Sequence, residues 1–278
     1  MTLARVRAAF LRACKLDVEV RKPGNVSFAS PGHRMHAQQF IASAEAAQHA
    51  LFAPGLSVGQ RIEAAVTATL AVAGCNTNLG IVLLTAPIAA ALERDPQARS
   101  AAQLRAAVSA VLRTLDVDDA RAAYRAIATA NPGGLGRADA QDVAQAPTLD
   151  LRSAMALAAH RDSIARQYAT DHADLFDLGL PAFTAAATPT AAMQITFLSF
   201  LARWPDSHIV RKLGAPTAQR VMRRARRWLE SAAHGECLDT CPAFAAWDAQ
   251  LKSAGINPGT SADLTVATAM LAELRHGT

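Results

Sequence analysis

The chain has 278 residues, of which 51% are apolar and only 5% are aromatic. Alanine, the best helix former, dominates, and runs of β-branched residues are scarce. These features predict an all-α protein, which we expect to form one compact domain over residues 1–278, with roughly ten helices around a central polar pocket. The net charge of +5 and the pI near 9.4 favour anionic partners. This small surplus excludes no partner class, because a polyphosphate pocket would account for it as well as nucleic acid would.

The four cysteines lie scattered along the chain, without the spacing of a disulfide framework. The first fifteen residues carry arginines and a lysine among apolar positions, so they predict an amphipathic helix over residues 2–17 rather than a signal peptide. We therefore expect a cytoplasmic protein with reduced thiols. The uncharged stretch Leu178–Ala202 is long enough to span a bilayer, but its prolines and polar residues favour a buried helix over about residues 190–203.

The first polar segment, Lys22–Ser27, is followed closely by a second one, Ser30–Met35. Pro23 and Gly24 predict a turn, and the Lys22 ammonium would suit a phosphate, although a solvated loop lysine is the simpler interpretation. His33 lies just before the next predicted helix. It is interpreted either as a surface or capping residue or as a binding residue.

The segment Gly74–Gly80 separates two alanine- and leucine-rich stretches. Upstream, Ser57 and Gln60 form the pattern of a capping box, and Gly74 suits the left-handed end of that helix. Asn76 or Thr77 suits the N-cap of the next helix, an apolar stretch that Pro87 should kink. This segment predicts either an ordinary corner between helices or a receptor for an anion or hydroxyl at a buried helix start.

Further along, Ser100 and Asp116 predict two helix starts, and the glycine-rich stretch Asn131–Arg137 could bring backbone amides close to a phosphate. Residues 148–170 read as one long helix with Asp162 on its apolar stripe. A buried acid is costly unless it is paired or bound to a cation. Asp162 is therefore either half of an ion pair that fixes helix packing or an acid of an active site.

Two clusters in the last third of the chain have weaker functional readings. The five arginines between Arg220 and Arg227 are best explained as a solvated helix face, with a phosphate rim as the second interpretation. His234, Cys237 and Cys241 lack a fourth ligand for zinc. The last polar segment, Asn257–Asp263, predicts the start of the terminal helix, with Ser261 as its N-cap.

Four of these elements resemble, in kind and in order, those of the triphosphoribosyl-dephospho-CoA synthase family. They are the Lys-Pro-Gly-x-Val start at Lys22, the His–Met element at His33, the Asn-Thr-x-x-Gly turn at Asn76, and the late Pro-Gly-x-Ser-Ala-Asp-Leu segment at Pro258. The resemblance extends from about residue 21 to residue 272.

The resemblance implies an enzyme that transfers a triphosphoribosyl group from ATP to dephospho-CoA and releases adenine, giving a prosthetic-group precursor. It implies ATP and dephospho-CoA as partners, possible oligomerisation, and neither nucleic acid nor membrane. Such a transfer needs a carboxylate and cations that hold the triphosphate, with Mg²⁺ as the expected cofactor. We assign the catalytic and Mg²⁺-binding roles to Asp162 and Asp263. The residues expected to bind the nucleotide or acceptor are Lys22, Gly24, Asn25, Ser27, His33, Asn76, Thr77, Asn78, Gly80, Gly133, Gly134, Arg161, Arg166, Gly259 and Ser261.

The chain also departs from the family pattern. Arg34 stands where the family usually has an acid before the methionine, and Asn78 and Leu79 stand where it has a histidine and a lysine. The stretch Gly133–Arg137 lacks the family's usual arginine–glutamate arrangement. These departures leave two alternatives: a related nucleotide-dependent group transfer in another cofactor pathway, such as that of the pterin one-carbon carriers, or a helical protein that binds a nucleotide without catalysis.

Overall fold

The computed structural model describes residues 1–132, 140–234 and 236–275. Over these residues the all-α prediction is confirmed, since they form fourteen α-helices, one π-helical turn, one short 3₁₀ helix and no β-strand. The number exceeds the predicted ten mainly because residues 151–213 fold as several short helices. The helices are α1 (Leu3–Glu19), α2 (Ala37–Leu51), α3 (Val58–Ala73), α4 (Leu79–Arg94), α5 (Ala101–Leu112), α6 (Val117–Ala130), α7 (Leu151–Ala158), α8 (Ser163–Ala169), α9 (Leu180–Thr184), α10 (Pro189–Arg203), α11 (Ser207–Leu213), α12 (Ala215–Ala233), α13 (Pro242–Ser253) and α14 (Gly259–Arg275).

Most of the local start and stop signals act as the sequence predicts. Ser57 and Ser100 each close a capping box, and Asp116 accepts hydrogen bonds from two backbone amides of α6. Gly74 ends α3 in the left-handed conformation, with φ of 67°. These signals depend on interactions within a few residues, which is why they can be recognised without knowledge of the fold.

The prediction of one long helix over residues 148–170 is wrong. The chain forms α7 and α8 instead, and Asp162 is the N-cap of α8, where its Oδ1 accepts hydrogen bonds from the amides of Ile164 and Ala165. An aspartate that accepts hydrogen bonds from two free amides at a helix start stabilises the helix more than an aspartate in the middle of a helix does. Asp162 therefore begins a helix rather than continuing an apolar stripe.

Two other predicted caps differ in detail. Asn78 occupies the N-cap position of α4, and its side chain makes no capping hydrogen bond, whereas Asn76 Oδ1 accepts a hydrogen bond from the Leu79 amide at 3.1 Å. Ser261 is not an N-cap, because α14 begins two residues earlier, at Gly259. Its hydroxyl bonds to a carboxylate of another segment instead.

Helices α4 and α14 lie at the centre of the molecule. Every residue of α4 from Leu79 to Leu92 is buried, and α14 is buried along nearly its whole length and packs against α1, α4 and α10. A helix that is apolar on all sides needs neighbours on all sides. The two central helices therefore bring both of their N-terminal ends, Leu79–Gly80 and Gly259–Asp263, inside the protein.

The uncharged stretch folds as predicted, with α10 spanning Pro189–Arg203 and packing its aromatic residues into the core. Across the described residues, no helix combines the length and the apolar character needed to cross a membrane. Helix α12 buries Ala218, Val221 and Ala225 on one side and exposes the five arginines on the other. The arginine cluster is thus a solvated face, as predicted.

Candidate functional site

The four polar segments Lys22–Ser27, Ser30–Met35, Gly74–Gly80 and Asn257–Asp263 converge on one cavity of about 590 Å³, which is within the usual range for a site that binds a nucleotide-sized ligand. Nine of the residues that the sequence suggested for the site line it. They are Asn25, His33, Asn76, Thr77, Gly80, Arg161, Asp162, Gly259 and Asp263. The lining combines polar and charged side chains with apolar ones, including Phe40 and Met155.

The first and last polar segments touch each other directly. Asn25 Nδ2 donates a hydrogen bond to Asn257 Oδ1 at 3.2 Å, and Asn25 Oδ1 is buried without a hydrogen-bond partner among the described residues. Gly24 has φ of 83°, and a Cβ there would lie 2.8 Å from the Ile256 carbonyl oxygen. This close approach requires glycine, so the Lys-Pro-Gly turn is shaped to fit against the segment that precedes α14.

His33 and Arg34 form a strained turn at the cavity. Both have left-handed backbone conformations, with φ of 55° and 62°. His33 Nε2 donates to the Gly24 carbonyl oxygen at 2.8 Å, which helps to fix this conformation. Non-glycine residues in this region are uncommon and concentrate at functional sites.

Gly80 allows the carboxylate of Asp263 to reach the start of α4. A Cβ on Gly80 would lie 2.1 Å from Asp263 Oδ2 and 2.7 Å from Ile164 Cδ1. Any side chain at this position would displace the carboxylate. The glycine that ends the Asn-Thr-x-x-Gly turn is thus explained by the contact between the two central helices.

Asp263 is the carboxylate in the cavity with the most unusual environment. Among the described residues, no hydrogen bond or ion pair is made by its side chain. Burial raises the pKa of Asp263 well above its ordinary value, and the nearby carboxylates of Asp17, Asp206 and Asp162 raise it further, while Arg211 opposes the shift. A carboxylate whose pKa is raised is, in its ionised form, a stronger base than an ordinary aspartate.

Asp162 has a different environment, although it lines the same cavity. Its Oδ1 caps α8, and its Oδ2 pairs with the Arg211 guanidinium at 2.5 Å. These contacts occupy three of the roughly four acceptor positions of a carboxylate. Asp162 therefore orients Arg211 and has one remaining position for a cation.

His208 is a neutral imidazole at the cavity wall. Burial lowers its pKa to about 3, and the positive charges of Lys212, Arg211 and His33 act in the same direction. Its Nε2 is buried without a hydrogen-bond partner among the described residues. His208 lies two positions after Asp206, in the first turn of α11, and the same helix places Arg211 at the cavity.

Several residues that the sequence suggested for the site do not line the cavity. Lys22 is fully buried and bonds to the carboxylate of Asp17 at 3.1 Å, so it is not a mobile phosphate ligand. Arg166 pairs with Asp174 at 2.6 Å and stacks on Trp204. Gly24, Ser27, Asn78 and Ser261 also lie outside the lining, while Gly133 and Gly134 lie outside the described residues.

The cavity also contains residues that the sequence did not suggest. Asp17 reaches it from α1, Arg34 follows His33, and α11 contributes His208, Arg211 and Lys212. The signal for α11 was present, because Asp206 is an N-cap residue whose side chain bonds to the amides of His208 and Ile209. The described residues, which include His234, Cys237 and Cys241, contain no group of three or more side chains placed to hold a metal ion on their own.

Comparison with known proteins matches this fold and these segments to one family. The family model of ATP:dephospho-CoA triphosphoribosyl transferase (CitG) matches residues 3–278. A crystal structure of a candidate triphosphoribosyl-dephospho-CoA synthase from Archaeoglobus fulgidus superposes with a TM-score of 0.68 and 22% sequence identity, covering 85% of this chain and 99% of that one. No curated protein matches. The chain belongs to the ATP:dephospho-CoA triphosphoribosyl transferase family, whose members transfer a triphosphoribosyl group from ATP to dephospho-CoA.

Proposed function

We propose that the cavity carries out this transfer, with Asp263 as the residue that accepts the proton of the attacking hydroxyl. The observation that carries the proposal is the Asp263 carboxylate, which faces a nucleotide-sized cavity without a hydrogen-bond or ion-pair partner among the described residues. Its raised pKa supports the role, because the ionised carboxylate is then a stronger base than an ordinary aspartate.

The bonds in the reaction balance without a further reactant. A ribose hydroxyl oxygen of dephospho-CoA forms a bond to C1′ of the ATP ribose, and the bond from C1′ to N9 of adenine breaks. Adenine leaves with the electron pair, the hydroxyl proton passes to Asp263, and the departing base takes up a proton. Positive charge develops at C1′ in between, and nearby carboxylates stabilise it.

Arg161, Arg211 and Lys212 are proposed to hold the phosphates. All three line the cavity, and the side chains of Arg161 and Lys212 have no partner among the described residues. They take the role that the sequence had suggested for Lys22 and Arg166, because the charges of Lys22 and Arg166 are already neutralised by Asp17 and Asp174.

Asn25, Asn76 and Thr77 are proposed to bind ribose or phosphate oxygens. Asn25 Oδ1 has no hydrogen-bond partner among the described residues, so it is an acceptor for a hydrogen bond from a ribose hydroxyl.

The donor set also fits Mg²⁺. This ion is usually held by one or two carboxylates together with substrate phosphates, and Asp162 retains one acceptor position beside Arg211. Bound there with the triphosphate, Mg²⁺ would neutralise phosphate charge and hold the chain of phosphates in place. We further propose that the chain acts as one domain in the cytoplasm, which suits its four free cysteines.

Adenine release tests the proposal. Purified protein with ATP, Mg²⁺ and dephospho-CoA should release adenine, and omission of dephospho-CoA should abolish the release. Asp263→Asn should lower kcat by roughly 10²–10⁴-fold, which is the usual contribution of a general base. Asp177→Asn is the matched control, because Asp177 is an exposed carboxylate paired with Arg105 outside the cavity. Wild-type activity in Asp263→Asn would overturn the assignment.

A further inference from the structure

A single buried carboxylate, Asp206, joins the starts of two helices beneath the cavity. Its Oδ1 accepts hydrogen bonds from the amides of His208 and Ile209 at 3.0 and 3.2 Å, in the first turn of α11. Its Oδ2 accepts bonds from the amide and the hydroxyl of Ser261 at 2.8 and 2.7 Å, in the first turn of α14. We refer to Asp206, His208, Ile209 and Ser261 as the Asp206 junction.

The two helices that meet at this junction bear the reactive side of the cavity. Helix α14 carries Asp263 two residues after Ser261, and α11 carries His208 and Arg211. Ser207 Oγ, next to Asp206, accepts a hydrogen bond from the Ser163 amide at 2.9 Å and so connects α8 to the same point. The carboxylate of Asp206 is not part of the cavity lining, so it does not touch a ligand held there.

A second junction of the same kind lies elsewhere in the molecule. Asp119, in the first turn of α6, accepts hydrogen bonds from Ser57 Oγ and the Gly59 amide, both at 2.7 Å, at the start of α3. Its Oδ2 also accepts a bond from the Asp116 amide at 3.3 Å. We refer to Asp119, Ser57, Gly59 and Asp116 as the Asp119 junction. Asp119, Ser57 and Gly59 all lie outside the cavity lining.

We propose that Asp206 is a positioning residue for the transfer: by bonding the first turns of α11 and α14 to one carboxylate, it sets the placement of Asp263, His208 and Arg211 relative to each other. This proposal deepens the proposed function and rests on it. Misplacement of a reacting group by about 1 Å can lower a rate about 10²-fold. A small rotation of α11 against α14 would therefore be enough to slow the transfer. The short α11, with seven residues, depends on its end contacts for its orientation.

The test compares Asp206→Asn with Asp119→Asn. Each variant exchanges one acceptor oxygen for an amide donor in a buried junction, so each should lower Tm by several degrees, on the order of 5 °C. Measured well below both Tm values, Asp206→Asn should lower kcat for adenine release about 10²-fold and raise KM for ATP much less. Asp119→Asn should keep kcat within about twofold of wild type, since no reacting group is attached to that junction.

A pH profile separates positioning from loss of stability. The charges that face Asp263 are Asp17 from α1, Asp162 at the start of α8, and Asp206 and Arg211 from the α11 segment. Removal of the Asp206 charge lowers the pKa of Asp263, so the acid limb of the kcat profile should move to lower pH in Asp206→Asn only. An unchanged limb together with wild-type kcat would overturn the proposal, and so would an equal loss of kcat in Asp119→Asn.

A milder pair of variants covers the case in which Asp206→Asn fails to fold. Ser261→Ala removes the hydroxyl bond of 2.7 Å to Asp206, whereas Ser57→Ala removes the matching bond to Asp119 together with the capping bond from the Gln60 amide. Ser261→Ala should therefore lower kcat several-fold more than Ser57→Ala although Ser57→Ala loses at least as much Tm, and equal kcat values would overturn the proposal. Failure of the proposed function is a separate result, because it appears as absence of adenine release by the wild-type protein or as full activity in Asp263→Asn.

Discussion

The Asp119 junction fastens α3 to α6, and the Asp206 junction fastens α11 to α14, with nearly the same set of bonds. In each, a buried carboxylate accepts a serine hydroxyl and a backbone amide from the first turn of another helix. The helices differ, because α3 and α6 have 16 and 14 residues and pack along each other, whereas α11 has seven. A long helix keeps its orientation through many side chains, while a short one relies on the bonds at its end.

The two junctions also differ in whether the residues around them line the cavity. Next to Asp119, the backbone of α6 lies against Gly59, and no residue of this junction lines the nucleotide-sized cavity. Next to Asp206, the cavity is lined by the Asp263 carboxylate, which has no partner among the described residues, by the neutral His208 and by Arg211. The same bonding pattern thus joins two long helices at Asp119, where it stabilises the fold, and joins the short α11 to the long α14 at Asp206, where we propose that it also positions the site.

Replacement of Lys22 gives the largest expected loss of stability. Lys22 is buried, as Asp119 is, but its partner Asp17 lines the cavity, as the residues next to Asp206 do. Lys22→Met leaves the Asp17 carboxylate buried and unpaired, which should lower the free energy of unfolding by about 3–5 kcal/mol. Burial already raises the pKa of Asp17, and Lys22 opposes this shift. The loss should therefore shrink as the pH falls and Asp17 takes up a proton. Urea denaturation at two pH values measures it, with the exposed Lys15→Met as control; equal losses in both variants would contradict the account.

Substitutions at Gly59 and Gly80 test packing and catalysis separately. A Cβ at Gly59 would lie 2.5 Å from the Asp119 backbone, which cannot move aside, so Gly59→Ala should cost about 1–3 kcal/mol of stability. A Cβ at Gly80 meets the Asp263 carboxylate, which can rotate away. Gly80→Ala should therefore cost less stability but abolish adenine release. Thermal unfolding and the adenine assay on both variants check this, and the reverse ranking would refute it.

Asp263→Asn should stabilise the protein while it removes activity. Because the pKa of Asp263 is raised in the folded state, its ionised form costs stability as the pH rises from its ordinary value through the raised one. The variant lacks this cost, so its Tm should exceed that of wild type by a few degrees at about pH 8, with the difference vanishing near pH 4. Asp162→Ala is the comparison, and it should lose stability at both pH values, because it removes the N-cap of α8 and the ion pair with Arg211. A lower Tm for Asp263→Asn at pH 8 would contradict the electrostatic account.

The sequence predicts those features that depend on neighbours within a few residues. The caps at Ser57, Ser100 and Asp116 and the left-handed end at Gly74 are of this kind. Asp162 could have been recognised in the same way, since aspartate is among the preferred N-cap residues. The helical periodicity through residues 148–170 outweighed that signal in our prediction.

The site itself depends on contacts between distant segments. The family resemblance pointed to Asn25, Asn76 and Asp263, which line the cavity, because ordered motifs carry information on tertiary contacts. It could not distinguish a lysine that binds a phosphate from Lys22, which is buried against Asp17. The positions of His208 and Arg211 at the cavity follow from the packing of α11 on α14, which no local pattern specifies.

Arg161 should give the smallest effect and tests the rim of the cavity alone. Its side chain is exposed and, within the described residues, has no partner, so Arg161→Gln should leave Tm and kcat unchanged. If it holds a phosphate, the KM for ATP should rise about twofold to fivefold, and the increase should fade at high salt, because exposed charges are screened. Arg223→Gln is the matched control, an exposed arginine on α12 outside the cavity lining. An equal change of KM in both variants would indicate a general effect of net charge rather than a phosphate contact at Arg161.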